Sequence, residues 1–369
     1  MISRLLRYTL SFLFVSTVSL SFAQQPPVRV AIVGLEHGHV AGFLHQFPKQ
    51  EDVKLVAIVE PDTALAQKYE EQFHLDHSLF FSRLQDAVAQ QHPQALLVYT
   101  PVGEHRKVIE QAAALSVSVM VEKPLTLSVA DALAIRRAAR EHHIQVLTNY
   151  ETTWYASNRS VAGMVADGKL GEIRKVVVHD GHQGPQEIHV QPEFLKWLND
   201  PAENGAGSLY DFGCYGADLT TVLMHGDAPI SVTTVAQTNK PDIYKADDDA
   251  TVILRYPHAQ AVLMPSWNWP FGRKDMEVYG TKGYAIALDP KQVRTRFSEH
   301  DAGETTTADP VPAPEDGSLH YLAAVLRGQL KPQGDLTALD TNVTVVQILD
   351  AARESARTGK TVTLHPLPQ

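Results

Sequence analysis

A short turn after the first apolar segment of the chain contains residues that could bind a phosphate. The segment Val28 to Val33 ends at Gly34, and Gly38 and His39 lie four and five residues further on. A glycine turn that leads into a helix presents backbone N–H groups to an anion, as in dinucleotide-binding proteins. That fingerprint would place glycines at positions 34, 36 and 39, and only Gly34 fits. We expect Gly34 and Gly38 to approach a dinucleotide closely; the alternative is a plain strand-to-helix turn.

The same turn carries Glu36 and His37, which we also assign to the dinucleotide site. Glu36 would place a negative charge beside the phosphates unless its side chain points away. With His39, these residues also suggest a metal site, but the histidines lie two positions apart at a turn rather than four apart on a helix. Because no matched third ligand is visible, we predict that no metal binds at this turn.

Glu60 follows the second apolar segment, residues 54–59, and begins a Glu-Pro-Asp turn. In a dinucleotide-binding fold, an acidic residue at this place hydrogen-bonds the adenosine ribose hydroxyls and repels a 2′-phosphate. Glu60 therefore favours NAD over NADP as the cofactor. The alternative is an ordinary turn carboxylate, which is common in such a sequence.

These turns interrupt a regular alternation of buried strands and amphipathic helices. Strands that alternate with helices imply right-handed crossovers and a doubly wound parallel sheet, in which ligands bind beyond the carboxyl ends of the strands. The β-branched apolar runs predict strands at residues 28–33, 54–59, 95–99, 117–121 and 144–148, and the segments between them predict helices at 39–47, 63–73, 105–115 and 128–142.

The pattern changes after Asn149. A helix at about 157–167 is followed by consecutive strand-like runs with turn signals, which predict a largely antiparallel sheet. The strands are expected at residues 173–179, 230–238, 250–256, 259–265, 274–279 and 284–287, and two closing helices at 319–327 and 339–357. Residues 301–317 are rich in Pro, Thr and acidic residues and predict a surface loop.

The composition of the 369-residue chain limits its partners. A formal net charge of -10 argues against a nucleic-acid partner that is held by phosphate neutralisation. The single cysteine, Cys214, excludes an internal disulfide framework and a Cys-based zinc site. The length suggests two domains, each with its own core.

The first 23 residues have the form of a secretory signal peptide. Arg4 and Arg7 provide a basic segment, an apolar and hydroxyl-rich run follows, and Ser21 and Ala23 supply the small residues of a cleavage site. The run is too short and too rich in Ser and Thr for a transmembrane helix. We therefore expect a periplasmic or secreted protein with no stable membrane anchor after cleavage.

Five motifs, in their order and spacing, resemble the Gfo/Idh/MocA family, the relatives of glucose-fructose oxidoreductase and inositol dehydrogenase. The motifs are Thr100-Pro101…His105, Glu122-Lys123-Pro124, Gly168…Leu170-Gly171-Glu172-Ile173, residues 207–215, and Tyr279-Gly280-Thr281-Lys282-Gly283. The resemblance implies an N-terminal Rossmann domain over 28–148 and a C-terminal α/β domain over 149–369 with a large, open, mostly antiparallel sheet. That sheet often forms an oligomer interface in the family, so a homodimer or homotetramer is expected.

The resemblance also implies roles for individual residues. Lys123 would contact the reacting hydroxyl and the nicotinamide region, and Asp211 would bind substrate hydroxyls. Tyr215 stands where relatives carry His or Tyr and would be the third catalytic residue. A nearby ammonium on Lys123 would favour the phenolate of Tyr215, so that the two could move the hydroxyl proton. Asn149 and Tyr150 fall where the domains join and would contact the substrate.

The cofactor cleft, by the same resemblance, would be lined by Thr100, Pro101 and His105 and by the neighbouring Glu122 and Lys123. The expected function is the oxidation of a secondary alcohol of a sugar, polyol or glycoside, with NAD accepting the hydride. Because free NAD is not expected outside the cytoplasm, an exported enzyme would hold its cofactor tightly. Two alternatives remain: a glycosidase that uses transient oxidation and elimination, and a carbohydrate-binding protein that has lost the cofactor.

Overall fold

The computed structural model describes residues 25–368, and its first half forms a six-stranded parallel sheet in the order β3-β2-β1-β4-β5-β6. The strands are β1 (Val28–Val33), β2 (Val53–Val59), β3 (Phe80–Phe81), β4 (Ala95–Val98), β5 (Ser118–Glu122) and β6 (Val146–Asn149). The helices are α1 (His39–Gln46), α2 (Thr63–Phe73), α3 (Leu84–Gln91), α4 (His105–Ala114) and α5 (Val129–Glu141). The predicted doubly wound sheet is confirmed.

Burial on both faces explains the uninterrupted apolar strands. Every residue of β4 is buried, which is typical of a parallel strand covered by helices on both sides. The register pairs Val33 with both Val59 and Val98, and Val98 with Val121. The residues that follow these strands therefore emerge along one edge of the sheet, where the strand order reverses between β1 and β4.

The second half contains a nine-stranded sheet in the order β14-β13-β12-β11-β7-β10-β9-β8-β15, in which β7 and β10 are parallel and the other neighbours antiparallel. The strands are β7 (Ile173–Gly181), β8 (Ser231–Gln237), β9 (Asp249–Arg255), β10 (Gln260–Ser266), β11 (Arg273–Gly280), β12 (Tyr284–Ala287), β13 (Gln292–Arg296), β14 (Glu304–Thr307) and β15 (Val362–Thr363). The helices are α6 (Ala156–Ala166), α7 (Pro192–Leu198), α8 (Pro201–Asn204), α9 (Ser208–Asp211), α10 (Gly213–Leu223), α11 (Ser318–Leu326) and α12 (Leu339–Thr358).

One face of this large sheet is covered and the other is open. In β9, Ala250, Val252 and Leu254 are buried, whereas Ile253 between them is 42% exposed. This alternation is typical of a sheet with helices on one side only. Helix α10 packs on β7 and β10, and α12 packs on β8, so these helices cover the buried face.

The last two long helices return to the first sheet. Val343 and Val346 of α12 belong to a core cluster of the parallel sheet, whereas Ile348 and Leu349 of the same helix belong to the core of the large sheet. Leu322 of α11 is fully buried in the cluster on the other face of the parallel sheet. The two sheets therefore share helix α12.

The structure adds elements that the sequence analysis did not predict, among them β3, α3 and α7, and it corrects one predicted loop. The segment 301–317, expected to be a surface loop, contains strand β14, which pairs with β13. Neither of these short, polar strands was predicted. The predicted signal peptide lies outside the described residues. Among residues 25–368, no helix has the length and hydropathy needed to cross a membrane.

Candidate active site

Gly34 occupies a position that no other residue could take without rearrangement. Its φ of 83° lies in the left-handed region, and a Cβ built on it would come within 2.7 Å of Thr100 Cγ2. Thr100 follows β4 and is itself buried, and its hydroxyl has no hydrogen-bond partner among residues 25–368. The first turn and the end of β4 are thus in close contact, and they leave one buried hydroxyl available at the edge of the sheet.

Glu60 fixes the geometry of the first turn. Its carboxylate accepts hydrogen bonds of 2.9 Å from the backbone N–H groups of Leu35 and Asp62. Burial raises the pKa of the Glu60 carboxyl, although these backbone hydrogen bonds oppose the shift. Glu60 therefore lies beside the turn at the end of β2, where the sequence analysis placed the ribose-binding carboxylate.

Glu36 repels a phosphate less strongly than a fully ionised glutamate would. Burial and the nearby carboxylates of Glu60 and Glu104 raise the pKa of Glu36 to about 7. Below that pH the Glu36 side chain is mostly neutral. Its charge opposes an anionic ligand only as the pH rises above this value.

The segment that contains α7 covers the turn from the side of the second domain. His37 is buried, with its ring centre 4.6 Å from that of Phe194 and 5.5 Å from that of Trp197. The Trp197 indole donates to the Glu36 carbonyl at 3.3 Å. A Cβ on Gly38 would come within 2.9 Å of Phe194 Cδ1. His37 and Gly38 therefore contact the protein's own second domain at this point.

A third potential metal ligand does exist beside the two histidines. Glu122, at the end of β5, lies with its Oε2 3.1 Å from His39 Nδ1, and the potential ligand atoms of Glu122, His37 and His39 lie within 4.8 Å of one another. The sequence analysis missed it because Glu122 is distant in the chain. His37 Nδ1 already accepts the His39 N–H at 3.2 Å. That bond occupies one lone pair and leaves the ring proton on Nε2, which disfavours a metal bond from this ring. The absence of a metal stays a prediction.

Lys123 and Asp211 meet where the two domains face each other. Lys123 Nζ donates to Asp211 Oδ1 at 2.5 Å and to the Asp211 carbonyl at 3.0 Å. The other carboxylate oxygen of Asp211 accepts the Trp267 indole N–H at 2.9 Å. Burial disfavours both charges, but their mutual attraction outweighs it, so the pKa of Lys123 is raised and the pKa of Asp211 is lowered.

Tyr215 lies beside this ion pair, but its state differs from the prediction. Lys123 Nζ is 5.2 Å from the Tyr215 ring centre, so its ammonium lies against the ring. Burial, followed by the charge of Asp180, raises the pKa of the Tyr215 phenol well above its usual value. Desolvation therefore opposes the predicted phenolate and favours the protonated phenol at Tyr215.

Three other predicted residues have a supporting position rather than a ligand-facing one. The ring of Tyr150 is fully buried behind Tyr215, and its hydroxyl donates to Asn342 at 2.9 Å. His105 is fully buried, and its Nε2 lies 3.2 Å from the Thr100 carbonyl. Asn149 donates to Glu122 at 3.2 Å. The sequence analysis expected these three side chains to contact the cofactor or the substrate. In the structure their polar atoms lie against other protein groups instead.

His105 connects two segments of the edge. Its Nδ1 lies 3.2 Å from the carbonyls of Pro124 and Leu125, just after the cis peptide bond between Lys123 and Pro124. Burial lowers the pKa of His105 to about 4, and a neutral ring has a single N–H, so it donates to the carbonyls on one side only. Pro101 begins the short helical turn that leads from β4 to α4 and lies beside this bridge. Together they hold the end of β4 against the Lys123 segment.

Two residues of the crevice were missed by the sequence analysis. Lys274 Nζ lies 4.4 Å from the Tyr215 ring centre and 2.6 Å from Glu151 Oε2. Side chains alternate between the two faces of β11, so the sequence alone does not show which of them point toward the site. The pairing of β11 with its neighbouring strands would have identified Lys274.

The residues along this edge fit a nicotinamide dinucleotide. Gly34 gives the close backbone approach, Thr100 offers an unpartnered hydroxyl, and Glu60 ends β2 beside the turn. Glu122 ends β5 on the same edge, and Lys123, the next residue, contacts Asp211 of the second domain. Two observations oppose the fit. Glu36 is charged above neutral pH, and Phe194 occupies the space against Gly38 and His37, which the sequence analysis had assigned to the dinucleotide.

Similarity to known families agrees with this geometry. Residues 28–150 match the oxidoreductase family with the NAD-binding Rossmann fold, and residues 158–286 match the GFO/IDH/MocA C-terminal domain. Trans-1,2-dihydrobenzene-1,2-diol dehydrogenase of Macaca fascicularis is 22% identical over 71% of this chain and 74% of its own length. The NADP(+) D-xylose 1-dehydrogenase of Haloarcula marismortui is 24% identical over 58% of this chain and 59% of its own length.

Solved structures share the fold over nearly the whole chain. An aldose-aldose oxidoreductase from Caulobacter crescentus, complexed with glycerol, has a TM-score of 0.77 and 23% identity, covering 92% of this chain and 100% of its own. An inositol dehydrogenase homologue from Azotobacter vinelandii, complexed with NAD+, has a TM-score of 0.78 and 21% identity, covering 92% and 98%. The chain therefore belongs to the GFO/IDH/MocA family of NAD(P)-dependent oxidoreductases that act on CH–OH groups.

Proposed function

We propose that this protein oxidises a secondary alcohol of a sugar, polyol or glycoside, with NAD as a tightly held cofactor. The observation that carries the proposal is the buried Lys123–Asp211 pair, which stands at the carboxyl edge of the Rossmann sheet and faces the second domain. An alcohol placed between these groups would meet an ammonium, a carboxylate and a phenol. The relatives named for a diol and a sugar support this class of substrate.

The chain's own residues orient the alcohol and control its proton. Lys123 donates to the substrate oxygen, Asp211 holds Lys123 and accepts from a neighbouring hydroxyl, and Tyr215 donates from the opposite side. When bound, the nicotinamide supplies the hydride acceptor. Gly34, Thr100 and the end of β5 would hold the dinucleotide.

Glu60 supports the choice of NAD over NADP. Glu60 follows β2, and its carboxylate accepts hydrogen bonds from the backbone N–H groups of Leu35 and Asp62. The remaining lone pairs of the carboxylate could accept hydrogen bonds from ribose hydroxyls. A 2′-phosphate would add negative charge beside this carboxylate. The cost of that repulsion is the physical basis of the expected preference.

Export and tight cofactor binding belong together in this proposal. The signal-like residues 1–23 support a periplasmic or secreted location, where a dissociating dinucleotide would be lost. The contacts of Phe194 and Trp197 with the turn support slow exchange, because a bound dinucleotide would lie next to this covering segment. The enzyme would then regenerate its cofactor within each catalytic cycle by passing the hydride to the carbonyl carbon of a second sugar.

A homodimer or homotetramer through the open face of the large sheet is also proposed. Val235 is 64% exposed and Ile253 is 42% exposed on neighbouring strands of that sheet. Apolar side chains at such positions are expected to be buried by a partner copy. Light scattering of the purified protein gives the molecular mass, and a monomer would contradict this part of the proposal.

The deciding experiment is native purification of the mature protein followed by denaturation and mass analysis of what is released. We expect NAD(H) in near-stoichiometric amount, and its absorbance should change when sugars or polyols are added. A protein that contains no NAD(H), and that binds none when it is added, would support the carbohydrate-binding alternative. Release of a split glycoside with no net cofactor change would support the glycosidase alternative.

A further inference from the structure

Trp267 has a specific partner for each of its polar groups. It directly follows β10, and its side chain is fully buried. Its backbone N–H donates to the Asp248 carbonyl at 2.7 Å, and its carbonyl accepts from Lys240 Nζ at 2.7 Å. Its indole N–H donates to Asp211 Oδ2 at 2.9 Å, and its ring packs against Tyr244 with 5.0 Å between the ring centres. Both the backbone and the side chain of Trp267 are therefore fixed.

The indole of Trp267 controls how the Asp211 carboxylate is oriented. Oδ1 of Asp211 faces the Lys123 ammonium, whereas Oδ2 faces the indole N–H. A carboxylate with a different donor on each oxygen cannot rotate without breaking these hydrogen bonds. Because Asp211 is buried, water does not readily replace a donor that is lost. The indole therefore keeps Oδ1 toward Lys123, the residue that would donate to the substrate oxygen.

Lys240 connects Trp267 with the loop that follows β7, which we call the rim loop (residues 182–190). Besides the Trp267 carbonyl, the Lys240 ammonium donates to the Gln183 carbonyl and to Glu187 Oε1, both at 2.6 Å. These three acceptors use all three N–H groups of a lysine. Lys240 therefore holds the rim loop and the Trp267 segment together.

The rim loop begins beside the proposed site. The ring centre of its first residue, His182, lies 4.9 Å from that of Phe212, which directly follows helix α9. The loop is fixed a second time at Glu187, whose other carboxylate oxygen accepts from the Tyr244 hydroxyl. The ring of Tyr244 is the one that packs against Trp267. Contacts from the rim loop thus reach Trp267 through both Lys240 and Tyr244.

We propose that Trp267 is a positioning residue for Asp211 in the oxidation, and that Lys240 anchors Trp267 from the rim loop. The inference rests on the proposed function and adds no chemical step to it. Trp267 acts through Asp211, which holds the Lys123 ammonium where it would donate to the alcohol oxygen. Groups that are fixed before the substrate binds need no reorganisation during the reaction, and this lowers its barrier.

The first test needs neither substrate nor cofactor. The chain has four tryptophans, so a nitrogen–proton correlation spectrum of the purified protein should resolve their indole groups. Trp267→Phe identifies the signal of Trp267. Asp211→Asn should shift that signal, because a charged acceptor becomes neutral, and should leave the signals of Trp154 and Trp197 nearly unchanged, since their indoles have other acceptors. A Trp267 signal that Asp211→Asn leaves in place would overturn the proposal.

The second test is the single-turnover reduction of the bound cofactor by an alcohol. Trp267→Phe keeps an aromatic ring and removes the indole N–H. Its rate should fall by about 10-fold to 100-fold, the factor expected for a hydrogen bond to a charged group, with little change in substrate affinity. Trp269→Phe is the matched control and should keep the native rate, because Trp269 lies in the same loop but its ring neighbours His179. Lys240→Met should lower the rate, and Lys240→Arg should restore part of it.

A double variant separates positioning from a purely structural role. If Trp267 acts through Asp211, adding Trp267→Phe to Asp211→Ala should lower the rate no further. An additive loss, or a native rate in Trp267→Phe alone, would overturn the positioning role. Where Asp211→Ala is too slow to measure, the indole spectrum still decides the contact. Indole signals that respond as expected in a native protein that oxidises no alcohol would instead overturn the proposed function.

Discussion

Replacing Lys123 with methionine tests the central pair of the site. The substitution keeps most of the side-chain volume and removes the ammonium, which leaves the Asp211 carboxylate buried with the Trp267 indole as its remaining side-chain donor. Removing one partner of a buried ion pair costs about 3–5 kcal/mol. Because the Trp267 hydrogen bond remains, we expect a loss near the lower end, about 3 kcal/mol, in the free energy of unfolding near neutral pH.

The loss should depend on pH in a defined direction. In the native protein Lys123 outweighs burial and holds the pKa of Asp211 below its usual value. Without the ammonium, burial raises that pKa above its unfolded value, so the variant is least stable at high pH. As the pH falls, Asp211 in the variant takes up a proton, and the difference from the native protein shrinks.

Urea unfolding, followed by tryptophan fluorescence at several pH values, measures this difference. Lys169→Met is the matched control, because the side chains of Lys169 and of its partner Asp167 are 59% and 63% exposed. Its loss should stay below about 1 kcal/mol. The double variant Lys123→Met with Asp211→Asn should recover much of the stability. Equal losses in the two lysine variants, or a loss that does not vary with pH, would refute the buried-pair argument.

The same variant separates stability from function. If Lys123 contacts the reacting hydroxyl, the turnover rate of Lys123→Met should fall by about 100-fold or more, with only a modest loss of carbohydrate affinity. Turnover comparable to that of the native protein would remove Lys123 from the mechanism.

Three further predictions concern the cofactor edge. Dinucleotide affinity should fall as the pH rises through about 7, since Glu36 then becomes charged, and Glu36→Gln should flatten this dependence in a calorimetric titration. Glu60→Ala should relax the preference against NADP; an unchanged NAD/NADP affinity ratio would count against its ribose role. Gly34→Ala should lower the free energy of unfolding by at least about 1 kcal/mol, because its φ is positive and a Cβ would collide with Thr100, and a thermal melt identical to the native one would contradict this.

Periodicity was enough to predict five of the six parallel strands, all but the two-residue β3, because strands buried on both faces are nearly continuous apolar runs. Strand β4 is an example, since every one of its residues is buried. Strands β13 and β14 were missed because they carry mostly Thr, Arg, Gln and Glu, and their pairing is decided by neighbouring strands rather than by an apolar face.

The candidate site was only partly predictable for a different reason. The chain order places Tyr150 and His105 near the crevice, but only the fold shows that their polar atoms bond to Asn342 and to backbone carbonyls. The state of Tyr215 depends on desolvation, which no local spacing reveals. Glu122 could not be matched to the histidine turn because the two are brought together by strand order.

The long terminal helix α12 has a mechanical consequence. Its residues Val343 and Val346 pack in the core of the first domain, and Ile348 and Leu349 pack in the core of the second. A helix that is part of both cores restricts a hinge motion of the two domains. Heat or denaturant should melt both halves in one step, and a chain truncated before Leu339 should fail to yield an autonomous nucleotide-binding half. Molecules that enter or leave the cleft must then pass by displacing loops and side chains alone.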